Sequence, residues 1–263
     1  MRHSLAVFLL LTLTACSSLP TEEDQSANAD ELYAAAKSAL QDNSYENAIK
    51  LFEKLQSRYP YGRYAQQAQI EIAYAYYKQG EPAPALATLD RFVKQFPNSE
   101  RLDYVLYLKG LVNFDENVNS FLSTLFGQDP AERDPVALHA AADSFSELVS
   151  RFPNSRYTED ARLRHQYLQV TLAKHEIAVA SYYLRRGAQV AAVNRAQRVL
   201  TDYPNTPQTR DALQIMVQSY AALGLEDLRL DTQRVLDLNV AKDGVRPSRA
   251  NFQEQETAWW KFW

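Results

Sequence analysis

The side chains that could do chemistry here are few, and their spacing argues against a catalytic centre. There is one thiol, Cys16, and there are four imidazoles, His3, His139, His165 and His175. His165 and His175 fall ten residues apart on one predicted helix. That spacing sets them about 80° apart around its axis and ~15 Å along it, too far to share a metal. No HExxH, P-loop, Gly-rich dinucleotide turn or cysteine-nucleophile motif occurs. The carboxylates lie on predicted helix faces with basic neighbours, the ordinary pattern of a solvated surface. The expectation is a protein that is not an enzyme and needs no cofactor or metal. Cys16 is the one group poised for covalent chemistry.

Cys16 closes a short apolar stretch. The run from Leu5 to Ala15 follows Arg2 and His3 and has 11 residues, about 16 Å as a helix at ~1.5 Å per residue. A hydrocarbon core is ~30 Å thick, so the run suits the apolar region of a secretory signal rather than a membrane span. Leu13-Thr14-Ala15-Cys16 resembles a bacterial lipobox, which implies lipid (palmitate) on the Cys16 thiol, cleavage before it and acylation of the new N-terminus. Two or more acyl chains hold a protein stably at a membrane where one does not. Lipoproteins kept in the inner membrane commonly carry Asp after the Cys, whereas Ser17 stands here; the resemblance points to the periplasmic face of the outer membrane. An ordinary signal peptide with an incidental Cys is the alternative.

Residues 16–263 keep 27 basic against 32 acidic side chains, a balance of −5. A nucleic-acid binder would need a basic face, so no nucleic-acid partner is expected. A lone Cys committed to lipid leaves no disulfide, and packing must hold the fold. Seven Gly in 263 residues and no second long apolar stretch favour a helical body over a sheet or a further span. Residues 16–29 read as a lipidated flexible tether; at ~5–6 Å × √n their reach is about 20 Å, so the body sits close to the membrane.

Four amphipathic segments end in an aromatic followed by Pro: Tyr59-Pro60, Phe96-Pro97, Phe152-Pro153 and Tyr203-Pro204. Three continue with Asn98-Ser99, Asn154-Ser155 or Asn205-Thr206. Pro stops the outgoing helix, and the polar pair is expected to cap the incoming one. Upstream of each Pro sit Ala36, Ala48 and Phe52; Ala73, Tyr76, Ala85 and Leu89; Ala141, Phe145 and Leu148; and Ala180, Tyr183, Ala192 and Val199. Small residues let two helices approach and a bulky one fills the gap between them. The pattern resembles the tetratricopeptide (TPR) repeat without its signature Trp. The expected fold is all-α, a solenoid of about five divergent TPR helix pairs over residues 30–240. Its N-terminal half runs to about 155 and its C-terminal half covers about 156–240. A fifth pair, Thr209 to Gly224 and Glu226 to Val240, caps the stack. Gly110 is expected to end a helix before an insertion of about 20 residues carrying Phe121, Leu122, Leu125 and Phe126 on one face. A long helix from Thr158 to Arg186 is expected to act as a strut spanning the two halves. Residues 241–263 form an aromatic C-terminal tail with Trp259, Trp260, Phe262 and Trp263; packing on the last repeat, a lipid headgroup zone and a partner subunit all suit it.

Lipobox, tether and divergent repeats together resemble the BamD family, also called the competence lipoprotein (ComL) family, of the outer-membrane β-barrel assembly machinery. The resemblance covers about residues 30–240. It rests on Arg58-Tyr59-Pro60-Tyr61-Gly62, Ala75-Tyr76-Tyr77-Lys78, Asp90-Arg91-Phe92, Asp103-Tyr104-Val105 and Arg133-Asp134-Pro135. Further stretches are Tyr182-Tyr183 with Arg186-Gly187, Val193-Asn194-Arg195 and Thr209-Arg210-Asp211-Ala212-Leu213. It implies a non-enzymatic scaffold whose N-terminal half receives unfolded outer-membrane proteins. Its C-terminal half docks the POTRA domain of the central β-barrel subunit, beside accessory assembly lipoproteins. Tyr59 is the implied substrate-contact residue, with Lys54, Arg58 and Arg63 near enough in sequence to meet a terminal carboxylate; packing between repeats, as for Phe96, is the alternative for Tyr59. Arg195 is the implied docking residue, with a surface ion pair to a local acid such as Asp202 as its alternative. Outside the family, a TPR lipoprotein regulating peptidoglycan synthesis or cell division is the runner-up, and a helical wall-cleaving enzyme a distant third.

Overall fold

The computed structural model describes residues 22–61, 64–118 and 135–243. Among them every regular element is a helix: α1 (Glu22–Gln41), α2 (Tyr45–Arg58), α3 (Ala65–Gln79), α4 (Pro82–Gln95), α5 (Leu102–Val118), α6 (Val136–Arg151), α7 (Thr158–Arg185), α8 (Gln189–Asp202), α9 (Gln208–Ala222) and α10 (Glu226–Asp243). The lipobox with Cys16, Arg63, the insertion with Phe121 to Phe126, and the aromatic segment 259–263 lie outside the described residues.

Two kinds of turn alternate along the chain, each dictated by a residue type. Between α1 and α2, α3 and α4, α7 and α8, and α9 and α10 a single residue takes positive φ: Asn43 (56°), Gly80 (75°), Gly187 (75°) and Gly224 (71°). The turn at Gly80 shows the pattern. Its N–H donates to the Tyr77 carbonyl at 3.0 Å, and the Glu81 N–H reaches the Tyr76 carbonyl at 3.0 Å, occupying carbonyls the helix end leaves unpaired. Glycine meets this conformation without a Cβ clash, and Asn is the side chain that tolerates it best.

The second kind of turn is the aromatic-Pro stop. Tyr59, Phe96, Phe152 and Tyr203 end α2, α4, α6 and α8 with nearly one backbone conformation, φ between −131° and −128° and ψ between 46° and 60°. Each donates its own N–H to the carbonyl four residues back. The following Pro disfavours helical ψ at the residue before it, so the helix leaves its path there. The Asn-Ser/Thr pair, whose position suggests a helix cap, does not cap α7 or α9. Ser99 Oγ accepts from the Arg101 N–H and Ser155 Oγ from the Tyr157 N–H, both at 3.3 Å. These hydroxyls brace the turn, while α7 and α9 start at Tyr157 and Pro207 without a side-chain cap.

The described residues fall into two compact units, divided between Val112 and Asn113. The division falls inside α5, and α6 packs closely on α7. In the first unit each helix from α1 to α4 packs on the next. Ala36, Ala48, Ala73 and Ala85 are wholly buried at the contacts, with Phe52, Leu89 and Phe92 filling the space between helices. α1 starts at Glu22, so residues 22–29, expected in the tether, are helical, and Ala29 is buried. Gly110 does not end α5 but lies buried inside it.

In the second unit α6, α7, α8, α9 and α10 pack in succession, and α7 also meets α9. Ala141, Phe145, Leu148, Ala180, Ala192 and Val199 are fully buried. So is Ala196, which stands where the other repeats carry Phe52, Leu89 and Phe145. α7 has 28 residues, ~42 Å of helix, and belongs to this unit. No described helix is long and apolar enough to cross a membrane.

Candidate functional site

In the first unit the site is built at the C-terminal end of α2. The helix presents Lys54 and Arg58 one turn apart, both exposed, so their charges stand on one face. Tyr59 is half-buried. Its ring packs at the edge of the first core cluster, and its hydroxyl donates to Asn28 Oδ1 at 3.1 Å. Arg58 Nη1 donates to the same oxygen at 3.3 Å. Asn28 of α1 therefore ties both candidates together, a partner hidden in the sequence because its segment reads as tether. Tyr61, two residues on, is fully exposed. Tyr59 thus has the packing role open to it from sequence and a polar edge that faces water. Arg63 lies outside the described residues.

A polar and aromatic row continues from this edge across α1 and α3. Tyr33 and Tyr64 stack with centroids 4.3 Å apart and planes at 10°. Lys37 Nζ and Gln67 Nε2 both donate to Glu71 Oε1, at 2.9 and 2.7 Å. Burial is the largest influence holding the Tyr33 phenol above its ordinary pKa, with Glu71 adding to it.

In the second unit the site centres on Arg195 of α8, whose ion-pair partner is not Asp202. Nη1 donates to both carboxylate oxygens of Glu176 on α7, each at 3.2 Å. Arg198 Nη1 lies 3.7 Å from Glu176 Oε1. The Glu176 side chain is only 9% exposed against 34% for Arg195, so the carboxylate is the buried member and the guanidinium its bridge to the surface. Nothing in sequence flags Glu176: the pair spans 19 residues and joins two helices. Tyr203, which ends α8, belongs to the same surroundings. Burial first, then the negative charges of Asp202 and Glu176, push its phenol up to about 12. At the end of α7, Tyr182 is half-exposed, meets Tyr183 edge-on at 5.8 Å and lies 5.6 Å from the Arg186 guanidinium.

Among the described residues no group of three or more His, Cys, Asp or Glu is placed to hold a metal. His165 lies 3.5 Å from Gln169, and burial lowers its pKa. What the arrangement offers is two surfaces for protein chemistry: aromatic rings beside exposed cations in the first unit, and a guanidinium on a buried carboxylate in the second.

A family profile described as an outer membrane lipoprotein, YfiO, matches residues 25–236. A protein of Neisseria meningitidis serogroup A, named outer membrane protein assembly factor BamD, is 42% identical over 98% of both chains. The protein of that name from Vibrio cholerae is 40% identical over 88% of this chain and 95% of its own. The one from Haemophilus influenzae is 35% identical over 91% of each.

Proposed function

This chain belongs to the YfiO family of outer membrane lipoproteins, and from that premise we propose that it is a non-enzymatic scaffold for assembling outer-membrane β-barrel proteins. The observation that carries the reading is the 42% identity to an outer membrane protein assembly factor over 98% of both chains. Lipid on Cys16 anchors the body to the outer membrane on its periplasmic face. The edge around Tyr59, with Arg58 and Arg63, receives an unfolded barrel protein as an extended segment carrying aromatic side chains and ending in a carboxylate. The rings offer apolar area with a polar rim, and an arginine binds a carboxylate through paired N–H donors. Arg195 docks the POTRA domain of the central barrel subunit. Its guanidinium has five donors, and Nη1 makes both contacts to Glu176. Accessory assembly lipoproteins complete the complex.

Co-purification from detergent-solubilised membranes tests the proposal. Recovery of a large β-barrel membrane protein as the stoichiometric partner is the expected result. Recovery of a penicillin-binding synthase in its place would favour the peptidoglycan reading.

A further inference from the structure

Six of the exposed large apolar side chains lie within sixteen residues at the end of the second unit: Leu223, Leu225, Leu228, Leu230, Val235 and Leu238. Three form a stripe. Leu228, Val235 and Leu238 are 47%, 46% and 60% exposed, and at ~100° per residue they fall within a sector of about 80° on α10, which also holds the exposed Asp231, paired with Arg234. Leu236, which is buried, lies outside the sector. α10 packs on α9. A mostly apolar stripe on the last described helix, with Asp231 within it and Asp227 beside it, is the kind of surface that takes a partner.

The occupant can be read from the same chain. Trp259, Trp260, Phe262 and Trp263 put four aromatic side chains within five residues, sixteen residues beyond Asp243. Sixteen residues of unstructured chain would span about 22 Å on average, and Leu228 lies ~22 Å back along α10 from Asp243. A short tether holds its segment at roughly millimolar effective concentration, above what a second copy reaches in dilute solution. Lys261, among the aromatics, is opposite in sign to Asp227 beside the stripe. We propose that the aromatic segment 259–263 docks intramolecularly on the Leu228, Val235 and Leu238 side of α10. The docked segment shields its four aromatic rings from water.

The test uses the three tryptophans of the chain, which all lie in this segment, so intrinsic tryptophan fluorescence reports on it alone. In the full chain the emission should be blue-shifted relative to free tryptophan, with several-fold weaker acrylamide quenching, at every protein concentration. The triple variant Leu228→Asp, Val235→Asp, Leu238→Asp should lose the shift and the protection, while Leu163→Asp, an exposed position on α7, should keep both. A nitroxide at Val235→Cys, in the full chain carrying Cys16→Ser, should quench the emission strongly, and this reading does not depend on the triple variant folding. Solvent-like emission in the parent chain overturns the proposal. Protection that disappears on dilution assigns the stripe to a second copy and overturns it too, as does protection seen only after adding phosphatidylglycerol vesicles.

Discussion

At Arg195 docking and folding are coupled, because the side chain proposed to meet a partner also neutralises the buried carboxylate of Glu176. Arg195→Ala should lower stability by ~1–3 kcal/mol, the cost of leaving a buried polar group short of its partner. Arg195→Glu should cost more, since it places two carboxylates together. Adding Glu176→Gln to Arg195→Ala should recover most of that loss in a urea melt while the docking guanidinium stays absent. The double variant therefore separates the two roles. Full recovery of stability together with wild-type affinity for the central barrel subunit would remove Arg195 from the interface. Tyr203 gives a second prediction at this scale. Its phenol is neutral in the folded chain up to about 12, against ~10 when unfolded. The stability it contributes is fully present below pH 10 and is lost as pH rises from 10 through 12. Tyr203→Phe should reduce the alkaline fall in Tm across that window, and an unchanged profile would mean that other tyrosines dominate it. At Tyr59 a photocrosslinker should capture a barrel-derived peptide; crosslinks arising only from the second unit would place the substrate elsewhere. The candidates were legible in sequence, but the residues that hold them were not. Asn28 and Glu176 act across 31 and 19 residues, and no local pattern connects a side chain to a partner on another helix.

Among the elements, legibility followed whether the cause is local. An aromatic-Pro pair fixes its own helix end through sterics, so all four stops stand where the sequence places them. The Ala positions are readable because close helix approach admits only small residues, and Ala36, Ala48, Ala73, Ala85, Ala180 and Ala192 are all fully buried. The features that escaped lack such a signal. Residues 22–29 carry no apolar period, yet α1 begins there. Gly110 reads as punctuation, although within α5 it sits at a buried position. Ala85 tests the packing argument. It is wholly buried between helices of the first unit, so Ala85→Leu should overpack the contact and cost about 1–3 kcal/mol, measured as a lower urea midpoint with helicity retained. Gly80→Ala should cost a comparable ~1–2 kcal/mol for a different reason. Its φ is +75° and no atom lies within 4 Å of the added Cβ, so backbone strain alone acts. A larger cost at Gly80 would contradict that open surroundings.

For the whole molecule, attachment to the membrane turns on Cys16. No described helix can span a bilayer, and a helical body carrying excess negative charge has no evident affinity for an anionic lipid surface. Anchoring by the proposed route rests on the acyl groups at Cys16. Each buried CH₂ contributes roughly 0.8 kcal/mol, so a multiply acylated N-terminus holds where a single chain would exchange. Cys16→Ala should abolish incorporation of labelled palmitate and leave the signal uncleaved by the lipoprotein route. It should not disturb the helical body, since Cys16 precedes the first residue of α1 by six positions in sequence. Circular dichroism of the variant should match the parent, while outer-membrane recovery of the complex falls with the anchor. Wild-type protein recovered without acyl label in the periplasmic extract would refute the anchor. It would leave the two protein-binding surfaces to be judged by their own tests, because neither Tyr59 nor Arg195 owes its position to the lipid.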